Sequence, residues 1–192
     1  MVPSKNSLMK MKSSQKLYDF LEKTQLHKKD FAQMIGVTLS YVYNLIDETI
    51  PFSTRSTTLE RIATVMDISP DEFSEYKIPQ DPILIDETIE FLRNKQKEKK
   101  LSTVQLLKFF PRNQRMEIVD ILRGASPLPL DWDIVSNIAH VLDISQEDIY
   151  IYWEKRLKDV LKISGFNFET NGELAAAIFA CARNYIKKNI KN

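Results

Sequence analysis

Cysteine, glycine and histidine are all scarce in this 192-residue chain, and each scarcity excludes a class of site. Cys181 is the single cysteine, which excludes an internal disulfide and fits the reducing cytoplasm. Four glycines leave no glycine-rich loop of the kind that cradles phosphates. His27 and His140 have no carboxylate or cysteine at the spacing of a metal site or a catalytic triad. We therefore expect no enzyme, no metal and no cofactor.

Long apolar runs and a strong net charge are also missing. No apolar run approaches the roughly 18 residues of a membrane span, and no basic start followed by an apolar stretch suggests a signal peptide. The formal net charge of +1 disfavours a large cationic surface that coats nucleic acid, but it leaves room for a local basic stripe. A hydrophobic fraction of 43% is enough for two small cores. We expect a globular cytoplasmic protein with no membrane contact.

The segment Leu26 to Asp47, LHKKDFAQMIGVTLSYVYNLID, predicts two short helices joined by a tight turn. Gly36 stands where a turn between crossed helices favours a residue that can take a positive φ. Apolar residues recur at helical spacing on both sides of this glycine. They are Phe31, Ile35, Val42 and Leu45.

Together with the later run TTLERIATVMDISPDEF, this segment resembles the Cro/repressor (XRE-type) helix-turn-helix family. The resemblance covers roughly residues 17–76. It implies a lambda-repressor-like five-helix domain whose helix after the turn reads double-stranded DNA. It also implies a bacterial or phage regulator, associated with the nucleoid, that represses transcription by occupying an operator.

The family's DNA-contacting positions can be carried onto this chain one by one. Asn44 is the best candidate for an adenine contact, whereas Leu39 departs from the polar residue that is usual in the family. The implied base contacts are Thr38, Leu39, Ser40, Tyr41 and Asn44. The implied phosphate contacts are Lys28, Gln33 and Arg55.

A second, divergent copy of the pattern follows. The run IAHVLDISQEDI from Ile138 repeats IATVMDISPDEF from Ile62, with the same apolar spacing and the same Asp-Ile-Ser cap. Alignment from there places a second turn at Pro111. The polar residues around this turn are of the types that bond guanine and adenine, although a proline-containing turn would also need polar neighbours. They are Arg112, Asn113, Gln114 and Arg115.

Cap and proline signals divide the chain into segments. Thr57 to Glu60 fits a capping box that opens a fourth helix, and Ser69 to Glu72 fits the start of a fifth. Pro79 and Pro82 break the helical pattern. The resulting all-α organisation has a basic flexible tail at 1–12, a helix-turn-helix domain at 13–77, a linker at 78–87, a divergent helix-turn-helix domain at 88–152 and C-terminal helices at 153–192.

Four residues of the last predicted helix recur at steps of four and three beside small alanines. They are Leu174, Ile178, Cys181 and Tyr185. A stripe with small neighbours allows close helix packing, so it could form the seam of a homodimer. It could equally dock against the chain's own second domain.

The sequence thus predicts a transcriptional regulator whose tandem modules read half-sites about 34 Å apart as an intrachain pseudo-dimer. The alternative is a protein-interaction protein (antitoxin-like, antirepressor or scaffold) that keeps the fold without reading DNA and binds a protein partner. Leu39, Asp47, Glu48 and the small net charge favour this alternative. RNA binding ranks below both, because no strands with stacking aromatics are evident.

Overall fold

The computed structural model describes residues 12–77 and 86–189, and every regular element within these ranges is helical. The all-α prediction is confirmed. Nearly all of the predicted basic tail and linker lies outside the described residues. The α-helices are α1 Ser13–Thr24, α2 Lys28–Ile35, α3 Leu39–Ile46, α4 Ser56–Met66, α5 Glu87–Glu98, α6 Thr103–Leu107, α7 Arg115–Leu122, α8 Trp132–Leu142, α9 Gln146–Ile163 and α10 Gly172–Asn189. Short 3-10 turns occur at Pro70–Glu72 and Arg112–Gln114.

The described residues form two compact units, and each unit is built from two stretches of chain. The first unit contains 12–77 and 102–125, and the second contains 86–101 and 126–189. The arrangement in two consecutive five-helix domains is not confirmed, because α6 and α7 pack in the first unit. In addition, the expected boundary after residue 152 falls inside the continuous helix α9.

Helix α2 is the centre of the first unit, where it contacts α3, α4 and α7. Its side chains Phe31, Met34 and Ile35 are fully buried. Burial of each such side chain stabilises the fold by about 1.5–3 kcal/mol. A helix of eight residues is marginal by itself, so this packing is what keeps α2 helical.

The turn after α2 needs glycine for two reasons. Gly36 has a φ of +71°, in the left-handed region that side chains disfavour. A Cβ at this position would also collide with the sulfur of Met116 on α7. The two predicted helices and the turn between them are present, and α7 packs directly against this turn.

Two local predictions are wrong. Helix α4 begins at Ser56 without a side-chain cap, and Glu60 binds Arg123 of α7 instead of closing a capping box. The predicted fifth helix is only the 3-10 turn Pro70–Glu72, after which Phe73 enters the core. A buried carboxylate gains more from a cation than from a helix end, and no amphipathic repeat continues after Phe73.

Three aromatic side chains, Trp132, Tyr150 and Trp153, lie in the otherwise aliphatic core of the second unit, where α8 packs on α9 and α5. The rings of Trp132 and Trp153 meet edge to face with centroids 5.6 Å apart. The Nε1–H of Trp153 donates a hydrogen bond to the carbonyl oxygen of Leu130 at 3.0 Å. The buried indole of Trp153, whose N–H has a partner, fixes the position of α9 on α8.

Candidate nucleic-acid interface

Helix α3 is anchored along one edge and open elsewhere. Its first turn is capped by Thr38, whose hydroxyl accepts a hydrogen bond from the backbone N–H of Tyr41 at 3.2 Å. Val42 and Leu45 are buried in the core of the first unit. These two residues share one face, and Tyr41 and Ile46 are half-buried. The exposed residues of the helix are Leu39, Ser40, Tyr43 and Asn44.

Four of the five residues predicted to contact bases lie on this open surface. They are Thr38, Leu39, Ser40 and Asn44, and Tyr43 is exposed beside them. The fifth, Tyr41, is half-buried, and its hydroxyl donates to the backbone oxygen of Ser53 at 3.2 Å. Tyr41 therefore braces the loop that follows α3.

The residues predicted to contact phosphates lie on the elements before and after α3 in the chain. Lys28 is the first residue of α2 and is half-buried, while Gln33 in the same helix is exposed. Arg55 is exposed directly before α4. Sequence reasoning missed Lys29, which is also exposed at the start of α2. Its position next to Lys28 in the first turn of the predicted helix could have indicated it as a further phosphate contact.

A cleft of about 580 Å³ opens beside α3 in the first unit. Its lining includes Lys28, Lys29, Asp30, Leu39, Tyr43 and Arg112. Arg112 belongs to the 3-10 turn before α7, and its Nη2 lies 3.0 Å from Oδ1 of Asp30. This approach is an ionic contact without the alignment of a hydrogen bond. The guanidinium remains accessible, because the Arg112 side chain is 60% exposed.

The second predicted turn does not present a comparable helix face. Arg112 and Asn113 are exposed, but Gln114 and Arg115 are half-buried. The Nε–H of Arg115 donates to the carbonyl oxygen of Phe110 at 3.1 Å, which ties the turn together. Helix α7 itself buries four of its eight side chains, whereas Met116 and Glu117 are exposed. The buried side chains are Ile118, Val119, Ile121 and Leu122.

Charged side chains join α7 to α4. Asp120 accepts hydrogen bonds from Nε and Nη2 of Arg61, each at 2.8 Å, and from Nε of Arg123 at 2.8 Å. Arg123 also pairs with Glu60 of α4. Burial raises the pKa of Asp120, but the bonds from both arginines outweigh it, so this pKa lies below its ordinary value. The carboxylate is thus charged at neutral pH and holds α7 in place.

The predicted dimer stripe lies mostly on the outer face of α10. Leu174 and Tyr185 are 55% and 66% exposed, Cys181 is exposed and Ile178 is half-buried. The helix docks on its own unit through other residues. The buried ones are Ala175 and Ile186. Helix α10 therefore packs on its own unit, and Leu174, Cys181 and Tyr185 stay exposed within the described chain. The dimer seam stays a prediction.

Within 12–77 and 86–189, no group of histidine, cysteine and acidic side chains is arranged to hold a metal ion. The same ranges contain no helix that is long and apolar enough to span a bilayer. Comparisons of the chain with protein-family models, curated proteins and solved structures gave no significant match.

Proposed function

We propose that this chain is a DNA-binding transcriptional regulator that inserts α3 into the major groove. The observation that carries the proposal is the open face of α3, which begins at a capped N-terminus in a helix-turn-helix. Thr38, Ser40 and Asn44 offer hydrogen-bonding groups on this face. An α-helix fits the major groove of B-DNA, and an asparagine there can bond adenine through two hydrogen bonds.

Phosphate contacts would position this helix. Lys28, Gln33 and Arg55 lie on the elements before and after α3 in the chain and can bond the DNA backbone. Asp47 acts against them at the end of α3, because its exposed carboxylate is negatively charged, and hydrogen bonds from Thr49 lower its pKa. We therefore expect little non-specific binding and a strong dependence on the few cations near α3.

Each chain would carry one reading helix, since α7 buries four of its eight residues in the first unit and is paired with α4 through its charged side chains. An operator with two half-sites about one helical turn apart would then need two chains. The exposed stripe on α10 is our proposed homodimer seam. A repressor acting as a symmetric dimer fits this arrangement better than an intrachain pseudo-dimer.

One feature favours a protein partner as the second candidate function. Leu39 and Tyr43 are 38% and 53% exposed on the same face of α3. Apolar side chains grouped on an open helix face are typical of interaction surfaces. On DNA, Leu39 would instead touch a thymine methyl group.

A selection from random duplex DNA at about 150 mM salt separates the two functions. A regulator enriches a motif, and Asn44→Ala then relaxes discrimination at one base pair by about 1–3 kcal/mol. Asn94→Ala, at an exposed position of α5, is the matched control and leaves discrimination unchanged. Arg55→Ala weakens binding to all duplexes alike and lowers the salt slope by about 1. Failure to enrich any motif would favour the protein-interaction function.

A further inference from the structure

We infer that Arg112 binds a DNA phosphate beside α3, so that one composite reading surface is built from two separate stretches of sequence. This inference rests on the DNA-binding function proposed above. The sequence pattern instead suggests that Arg112 contacts a base in the groove read by a second module. The structure places this residue in the first unit, on the cleft next to α3.

The position of Arg112 within the cleft supports the composite surface. The same cleft is lined by Leu39 and Tyr43 of α3 and by Lys28 and Lys29 at the start of α2. While α3 occupies the major groove, one DNA strand would pass along the first turn of α2. Its phosphates would meet Lys28, Lys29 and Arg112 together. Arg112 would thus extend a phosphate-binding edge that α2 begins.

Asp30 contacts Arg112 and leaves most of the N–H donors of this arginine available to a ligand. A guanidinium has five N–H donors, and the contact with Asp30 is made through Nη2 alone. Asp30 is largely buried, with a side chain only 15% exposed, so salt screens its attraction for Arg112 less than that of a surface carboxylate. An arginine held in place loses less conformational entropy on binding than a free one.

The charges of the cleft favour an anion. Lys28, Lys29 and Arg112 carry positive charge, against Glu22 and Asp30. Elsewhere near α3 the helix ends in the acidic pair Asp47-Glu48. The cleft beside α3 therefore has a small excess of positive charge, which attracts a phosphate.

A phosphate contact is favoured over a base contact by the burial of α7. A side chain reads base edges when its helix or turn enters the groove. Helix α7 is held against α4 by the pairs of Arg123 with Glu60 and Asp120 with Arg61, so it cannot leave the unit without breaking them. The turn that carries Arg112 is thereby kept at the edge of the surface.

The test uses the full chain and the duplex enriched by the selection above, with binding followed as salt is raised. Arg112→Ala should weaken binding to matched and mismatched duplexes by the same factor and reduce the slope of log K against log salt by about 0.9. Arg112→Lys should restore the slope, because lysine can also contact a phosphate. Lys108→Ala removes an exposed cation from the same connection and should leave binding unchanged.

Three outcomes would overturn the inference in different ways. An unchanged affinity and slope for Arg112→Ala, while Asn44→Ala still relaxes discrimination, overturns the role of Arg112 and leaves the proposed function standing. A loss confined to one base pair, not restored by Arg112→Lys, identifies a base contact instead. Absence of any enriched motif with wild-type protein overturns the proposed function itself. Circular dichroism of each variant at the binding temperature confirms that the helices are retained.

Discussion

The charged side chains between α4 and α7 allow a direct test of how these two helices are held together in the first unit. Arg123 contacts Glu60 at 2.5 Å and Asp120 at 2.8 Å, and the three side chains are 10 to 13% exposed. Arg123→Met keeps a long apolar side chain but removes the cation, which leaves Glu60 with the hydroxyl of Tyr76. Removing one partner of a buried ion pair costs about 3–5 kcal/mol. Because Asp120 keeps Arg61, we expect the lower end, about 3 kcal/mol.

Urea unfolding followed by far-ultraviolet circular dichroism measures this loss. With a slope of about 1–3 kcal/mol per molar urea, the midpoint should fall by roughly 1–3 M. Lys16→Met is the matched control in the same unit, since Lys16 pairs with Glu72, whose side chain is 48% exposed. Such a surface pair contributes about 0–1 kcal/mol.

The double variant Glu60→Gln/Arg123→Met distinguishes charge from packing. It removes the uncompensated carboxylate, so it should be more stable than Arg123→Met by itself. A loss for Arg123→Met no larger than that for Lys16→Met would refute the view that these charges hold α7 on α4. A double variant as unstable as the single one would assign the loss to the packed arginine stem instead.

Three further predictions concern acid stability, the turn and the dimer. The folded pKa of Asp120 lies below its ordinary value of 3.8, so its stabilising effect is present above pH 3.8 and is lost as pH falls through the folded pKa; Asp120→Asn should flatten this part of an acid titration of stability. Gly36→Ala forces a side chain into a positive φ and should cost about 1–2 kcal/mol in thermal unfolding, whereas Gly172→Ala, with open space around it, should cost little. Mild oxidation should link two chains through Cys181, near the middle of the exposed stripe on α10, and Tyr185→Glu should prevent this; a monomer at all concentrations in sedimentation would contradict the proposed seam.

The helix-turn-helix of the first unit could be predicted because its signals are local. The apolar spacing of Phe31, Ile35, Val42 and Leu45 determines which faces of α2 and α3 are buried. Gly36 marks the turn between them. The open face of α3 can also be predicted, because it consists of the positions that the apolar pattern does not bury. These features depend on neighbours within about 20 residues of sequence, where periodicity is informative.

The packing of α7 could not be predicted from the repeat. Ile118 and Ile121 match Val42 and Leu45 of α3, so the spacing correctly indicates a helix with a buried face. The pattern does not say which elements cover that face. One signal was available: Val119 stands where α3 has the exposed Tyr43, and an apolar residue there suits a helix enclosed on more than one side.

The segment that resembles the family and the compact first unit do not end at the same residue, and the packing explains why. The resemblance ends near residue 76, whereas the first unit continues to residue 125 after an excursion through the second. Met116 packs where Gly36 lacks a side chain, and Asp120 neutralises Arg61. A fragment that carries only the resembling segment would therefore expose the apolar surface beneath α7, leave Arg61 without Asp120 and lose Arg112 from the cleft beside α3. The second stretch of sequence is part of the same core and, under our proposal, part of the same binding surface.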